Sequence, residues 1–454
     1  MTQLHFNGID ASTGEPLTAP ISVDELAAAA RSQLAREENE HRRTRLLPFG
    51  ADATRIDHAG WGVVVPHDVP VDVEAALAPL LELRRGQAGP LFKRFDVRPG
   101  ETARTWLARH GMGASDLDPE IVPYYLLLVG DPIQIPFELQ YALSTRYCVG
   151  RLDLDLPGLT AYAASIVRAE LTPSTRRRSV SYWAPKHDMA TTMSAELLIS
   201  PLFGGAGGRG SVRRPPAALV GATSSLALAG DATRAHLLDI LHGRADERPA
   251  LLFTASHGLG FPLDHPLQAR DQGALLCQDW PGSRPPDRDA HYVAADHVGD
   301  DADVHGLVAF LFACYGAGTP AYENFQRDPE LPARPLAAVP FVSALPRRLL
   351  GHPRGGALAV VGHVERAWGC SLAQPGVGNQ IVPFHGFIAR TLAGEPVGHA
   401  LRDLADRVAI HSTALLTGIQ RGDLRPHELI NLWLERNDAQ NYVLLGDPAA
   451  RLTK

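Results

Sequence analysis

The sequence predicts an α/β protein built as two tandem units, each a mainly parallel sheet flanked by helices. Three observations carry this expectation. Runs such as WGVVV from Trp61 and YYLLLV from Tyr124 are continuously apolar, the mark of strands covered on both faces. Segments with apolar residues at helical spacing separate them. The alternation then restarts after Leu171–Ser179 (LTPSTRRRS), a polar stretch containing Pro173. At 454 residues the chain is too long for one ordinary core, so two or three domains or packed subdomains are expected. No short-period repeat runs through it.

The elements follow in order. Residues 1–58 read as a lead-in, with Ser22 capping an Ala-rich helix (VDELAAAARSQLAREENEHRR). The first unit, 59–172, contains the strand WGVVVPHD, the helix VDVEAALAPLLELRR, the strand FKRFDV, the helix TARTWLARHG and the strand YYLLLVGD. The strand RYCVGRLDL and a helix around Ala161–Glu170 complete it. The second unit, 173–454, gives the strand SYWAPK, the helix MATTMSAELLI, the strand AALVGAT and the helix TRAHLLDILHG. Two apolar strands, ALLFTASHG and LVAFLFACYG, come next, with an insertion at 259–305 between them. A helix near Leu345–Leu350, the strand GALAVVGHVERAWG, two helices across Gly378–Arg421 and a last strand YVLLGDPAARL close the chain.

Composition narrows the function. Hydrophobic residues make up 45% and charged residues 20%, as in ordinary globular proteins. A formal net charge of −7 gives no positive field for nucleic acid or an anionic membrane, so neither is expected as a partner. The basic clusters at Arg42-Arg43 and Arg176–Arg178 read as solvated surface. The start lacks the pattern of a signal peptide, and no apolar run reaches the ~20 residues that span a bilayer. Cys148, Cys277, Cys314 and Cys370 are scattered and form no CxxC pair. A cytoplasmic, reducing location is therefore expected, and it keeps a thiol available for chemistry.

Two strand exits concentrate reactive groups. LLFTASHGLG ends with His257-Gly258, and GLVAFLFACYGAG ends with Cys314-Tyr315-Gly316. Ligands bind beyond the carboxyl ends of parallel strands, and an imidazole beside a thiol there can take its proton or hold it as an ion pair. Taken singly, a histidine after a strand is more often a satisfied residue, and a cysteine in an apolar strand is packing. The repeated pattern is what singles the pair out. Elsewhere, Gly205–Gly210 fits GxGxxG by letter, but SVRRPP follows where a helix must begin, so it reads as a loop. His291, Asp296, His297 and His305 lack the spacing of known metal sites, and no metal or cofactor is expected.

ASHG followed by FACYGAG resembles the His-Gly and Ala/Gly-Cys signatures of the caspase-like cysteine peptidases, and most of all the gingipain-type branch. YYLLLVGD, VGRL at 149–152 and the closing YVLLGDPAARL are similar to segments of that branch. The resemblance implies two caspase-like subdomains. The first would lack catalytic residues; the second would use His257 and Cys314 as a dyad, with the N–H groups of Gly258 and Cys314 as an oxyanion hole. It implies Trp368 as a substrate-pocket aromatic. Open specificity would be toxic in the cytoplasm, so a specific protein substrate and gating by an activating or inhibitory protein partner are expected. The acidic residue this branch places before VGRL is missing. Among Glu138, Asp153, Asp264 and Glu365, the residue favoured to bind a basic side chain is Glu365, with Asp264 also a substrate-binding candidate. An inactive scaffold and a non-peptidase thiol amidohydrolase are the alternative readings. The insertion is expected to act as a lid, with an apolar first half docked on the body and a mobile acidic second half.

Overall fold

The computed structural model describes residues 3–4, 8–17, 21–22, 47, 51–113, 117–208, 211–244, 248–325, 332–374, 378–422 and 424–453. The Ala-rich helix expected at 23–43 lies outside them.

Ten strands form one sheet. In chain order they are β1 (Trp61–Pro66), β2 (Phe92–Val97), β3 (Tyr125–Val129), β4 (Cys148–Leu152), β5 (Arg177–Ala184), β6 (Thr223–Leu228), β7 (Pro249–Ala255), β8 (Val308–Phe312), β9 (Ala359–His363) and β10 (Tyr442–Gly446). Their spatial order is β6-β5-β7-β8-β9-β10-β4-β3-β1-β2. The two sheets anticipated from the sequence are thus halves of a single α/β sheet. The last strand, β10, joins them: it pairs antiparallel with β9 and parallel with β4. All other neighbours are parallel, so the direction reverses once, at β9/β10. Strand exits of the two halves consequently face opposite edges of the sheet.

The central strands are buried along their whole length: β1, β3, β4, β7, β8, β9 and β10 have no exposed residue. That is the physical reason their sequences show apolar runs and not alternation. Helices α1 (Val71–Ala88) and α2 (Leu156–Leu171) pack on each other beside the first half. The second half carries α3 (Met189–Met193), α4 (Ala344–Leu350), α5 (Val382–Ala393), α6 (Arg402–Arg421) and α7 (Pro426–Asn441).

One strand was set wrongly from the sequence. AALVGAT does not form it; Pro216–Leu219 is a helical turn and the strand is Thr223–Leu228. This β6 is an edge strand whose first residues are exposed or half-buried, so its own sequence (TSSLAL) carries little apolar signal. Helix α7 had no expectation at all. The Gly205 stretch includes a small ribbon pairing Ala206–Gly208 with Ser211–Arg213.

The closing Gly-Asp-Pro segment locks the halves together. Asp447 accepts from Trp61 Nε1 at 2.9 Å, from Arg84 Nε at 2.7 Å and from the Ala449 N–H at 3.0 Å. Arg84, fully buried, also pairs with Glu170 at 2.6 Å. Burial opposes charging of Arg84, but the carboxylates of Asp447 and Glu170 outweigh it and raise its pKa.

Candidate active site

Register brings the two reactive exits together. In the parallel pair β7/β8, Ala255 stands opposite Phe312 and the Ser256 N–H donates to the Phe312 carbonyl at 3.1 Å. His257 and Cys314 each stand two residues beyond that pair. The chains then come closer: a Cβ on Gly258 would fall on the carbonyl of Cys314. Only glycine permits this approach, which explains the glycine after His257 through packing against the Cys314 backbone.

A third strand exit contributes a residue the sequence reading did not name. Strand β5, the other neighbour of β7, runs out into His187-Asp188, and Asp188 Oδ2 lies 2.9 Å from His257 Nε2. Asp188 is held in place as the N-cap of α3: its Oδ1 accepts the Thr191 N–H at 3.0 Å, and the Thr191 hydroxyl answers the Asp188 N–H at 3.0 Å. An ionised carboxylate only accepts, so Nε2 carries the proton. The Nδ1 of His257 is then the nitrogen without a proton, buried and without a hydrogen-bond partner among the described residues. Burial works against the charge on Asp188, but its bonds to His257 and Thr191 hold its carboxyl well below the usual range. Asp188 was missed because it lies 69 residues from His257 and its own context (Asp-Met-Ala-Thr) announces only a helix cap. The signal that could have found it is the strand-exit rule applied to SYWAPKHD.

Cys314 leaves β8 on a tight turn. The Gly316 N–H bonds back to the Ala313 carbonyl at 3.2 Å, and Tyr315 adopts a left-handed φ of 56°. The Tyr315 N–H donates to the carbonyl of Glu365 at 2.6 Å, and Glu365 is itself left-handed at φ 84°. Ser343 Oγ donates to the Tyr315 carbonyl at 2.5 Å. Backbone strain of this kind persists only where the surroundings hold it, and here it aims one side chain. The thiol is fully buried, 4.0 Å from the Ala367 carbonyl, and burial pushes its pKa well above the ordinary value. At neutral pH the resting group is a thiol, so a base is needed to ionise it.

The substrate-binding candidates fall differently. Glu365 is fully buried; it accepts from Arg366 at 2.8 and 3.0 Å and from the Asn324 N–H at 2.6 Å. It is not a free carboxylate at a pocket floor, because its charge is already matched within the fold. Trp368 is equally buried, its ring 4.7 Å from that of Phe325 in a cluster with Leu429, Ile430 and Trp433, and its backbone N–H donates to Asp438 Oδ1 at 2.9 Å. It packs as core and forms no exposed pocket wall. Asp264 sits on an exposed turn with φ 64° and makes no hydrogen bond to His257 or Cys314 among the described residues.

The insertion at 259–305 has an apolar cluster of its own, and the acidic residues of its second half are partly exposed and ion-paired. Leu259, Phe261, Leu276, Trp280 and Tyr292 form their own cluster. Buried Asp271 accepts from Arg288 at 2.8 Å and from Tyr292 Oη at 3.0 Å. The acidic residues meet arginines: Asp296 with Arg288, Asp300 with Arg348, Asp301 with Arg244, and Asp303 with Arg176 and Arg248. Its histidines are engaged too, His291 with the Asp287 N–H, His297 with Asp289 and His305 with Arg168. Among the described residues no group of three or more His, Cys, Asp or Glu is placed to hold a metal ion. No described helix is long and apolar enough to cross a membrane.

Comparison with known proteins adds little to this geometry. No family model matches the chain, and no curated protein matches it. A solved structure named "Structure of Protease" is similar over 87% of this chain and 78% of its own, at 12% identity and a TM-score of 0.49.

Proposed function

We propose that the chain is a cysteine endopeptidase in which Cys314 is the nucleophile, His257 the general acid–base and Asp188 the residue that orients the imidazole. The observation that supports this reading is the meeting of three adjacent strand exits, with Asp188 on Nε2 of His257 and the exits of His257 and Cys314 on paired strands.

Chemistry follows from the tautomer. With Nε2–H donated to Asp188, Nδ1 takes the thiol proton as the sulfur attacks the scissile carbonyl carbon. The carbonyl oxygen becomes an oxyanion, and the N–H groups of Gly258 and Cys314 are the proposed donors to it. The imidazolium then gives its proton to the departing amine, leaving a thioester on Cys314. Water, deprotonated by the same Nδ1, attacks the thioester and releases the acid and the thiol. Asp188 stabilises the imidazolium between these steps. The substrate is a polypeptide. A preference for a basic residue before the cut loses its main support, since Glu365 is matched by Arg366.

A peptide-library cleavage profile of the purified chain tests the proposal, with Cys314→Ala as control. Cleavage by the parent and none by the control is expected. Activity retained in Cys314→Ala, or lost in Cys277→Ala with Cys314 intact, overturns it.

A further inference from the structure

His257 and Cys314 are both fully buried, so the site as folded is closed to a polypeptide. Residues 8–17 contribute to the cover over Cys314. Residues 8–17 form a small hairpin: the Leu17 N–H bonds to the Gly8 carbonyl at 2.9 Å, the Asp10 N–H to Glu15 at 2.8 Å, and the Gly14 N–H to Asp10 at 2.8 Å. Asp10 Oδ1 fixes its tip by accepting the Ser12 N–H at 2.7 Å. One arm adds as a parallel strand to the segment directly after the histidine, pairing Ile9 with Leu259 and Asp10 with Gly260, and the Ala11 N–H closes on the Gly260 carbonyl at 3.0 Å. Ile9 is buried in the insertion's cluster with Leu259, Phe261 and Trp280. Leu17 lies against the α-carbons of Gly8 and Gly260. At the end of this arm, a Cβ built on Gly8 would stand 3.1 Å from Cys314 Sγ. The hairpin therefore touches the proposed nucleophile itself.

We infer that the edge Leu259–Gly260 is a docking surface for an extended polypeptide, which adds as a strand with an apolar side chain in the Ile9 site, and that residues 8–17 occupy it in cis and shut the catalytic site. The inference rests on the proposed role of Cys314, and it names the regulation of that site. Main-chain pairing gives such an edge affinity for any extended chain, while the apolar site selects among them. An unanchored peptide must outcompete a segment held at high effective concentration, so opening requires the hairpin to be released. The raised pKa of the buried thiol is consistent with a nucleophile kept dormant while covered.

Two variants of the full chain test this. Ile9→Asp places a charge in the apolar cluster and should free the hairpin. Alkylation of Cys314 by iodoacetamide, followed by peptide mapping, should then speed up by about tenfold or more, with Cys148 and Cys277 still protected. A synthetic peptide of residues 3–17 added to this variant should slow the alkylation again. Gly8→Cys should form a disulfide with Cys314 on mild oxidation, because the separation suits one. Equal alkylation of Cys314 in parent and Ile9→Asp, or failure of Gly8→Cys to cross-link, overturns the inference. If Ile9→Asp exposes all three cysteines by unfolding, the cross-link decides alone. Faster alkylation of Cys314 without any peptide cleavage would sink the peptidase reading and leave the hairpin's role standing.

Discussion

Asp447 and Asp188 are both carboxylates at strand exits, one belonging to each half of the sheet. Asp447 accepts from Trp61, Arg84 and the Ala449 N–H, and Arg84 is in turn saturated by Glu170 and Gln87. Asp188 holds one nitrogen of His257, and the other has no partner among the described residues. Both aspartates are fixed by backbone N–H groups, so the difference is not one of order. It lies in what the partner has left over. A guanidinium with every donor used can only hold parts together, whereas a tautomer-fixed imidazole with a bare nitrogen can move a proton. On the proposed function, the first half is scaffold and the second carries the chemistry.

That contrast predicts two kinds of mutant. The largest effect belongs to the second half: Cys314→Ala should abolish peptide turnover, and His257→Ala should lower it by at least about a hundredfold. Thermal unfolding should show both variants folded. Next comes the first half. Arg84→Met leaves Asp447 and Glu170 buried without their cation, and should cost about 3–5 kcal/mol by urea titration. Its rate per folded molecule should match the parent, and a fall in that rate would blur the division between the halves.

Asp188→Asn should be milder, slowing turnover by about tenfold, since the side chain is 38% exposed and water partly replaces it. Its pH dependence sharpens the comparison. The carboxyl of Asp188 is depressed in the fold, so its stabilising contribution is full above the ordinary Asp value of about 3.9 and fades as pH falls towards the folded value. The stability gap between parent and Asp188→Asn should therefore be constant near neutrality and close below about pH 4. A gap that widened on acidification would contradict the geometry. The smallest effect should come from the exposed pairs of the insertion. Asp301→Ala, which loses Arg244, should change stability by less than about 1 kcal/mol.

The sequence showed most of the fold because most of its strands are buried on both faces. Where burial and polarity part company, it showed less. Helix α7 went unread because its buried face includes Glu435, Arg436, Asn437, Asp438 and Asn441, so no apolar stripe marks it. Edge strand β6 was displaced to a neighbouring apolar run for the converse reason. His257 and Cys314 stood out as reactive residue types following apolar strands, and the register makes those strands neighbours, which spacing along the chain cannot express. Asp188 was hidden by distance in sequence. The burial of Glu365 and its pairing with Arg366 were not legible, since a charge next to an arginine looks the same in sequence whether it faces solvent or is matched in the core. The hairpin at 8–17 lies within what read as a lead-in, and nothing in its composition announces where it docks.

The central claim is that Cys314 is a nucleophile made reactive by His257. A peptidyl acyloxymethyl ketone, applied to the parent and to Ile9→Asp and read by peptide mapping, tests it most directly. The account predicts one adduct, on Cys314, faster in Ile9→Asp and nearly absent when His257→Ala is added to it. An adduct on Cys148, Cys277 or Cys370 instead, or labelling of Cys314 that is indifferent to His257, would contradict it.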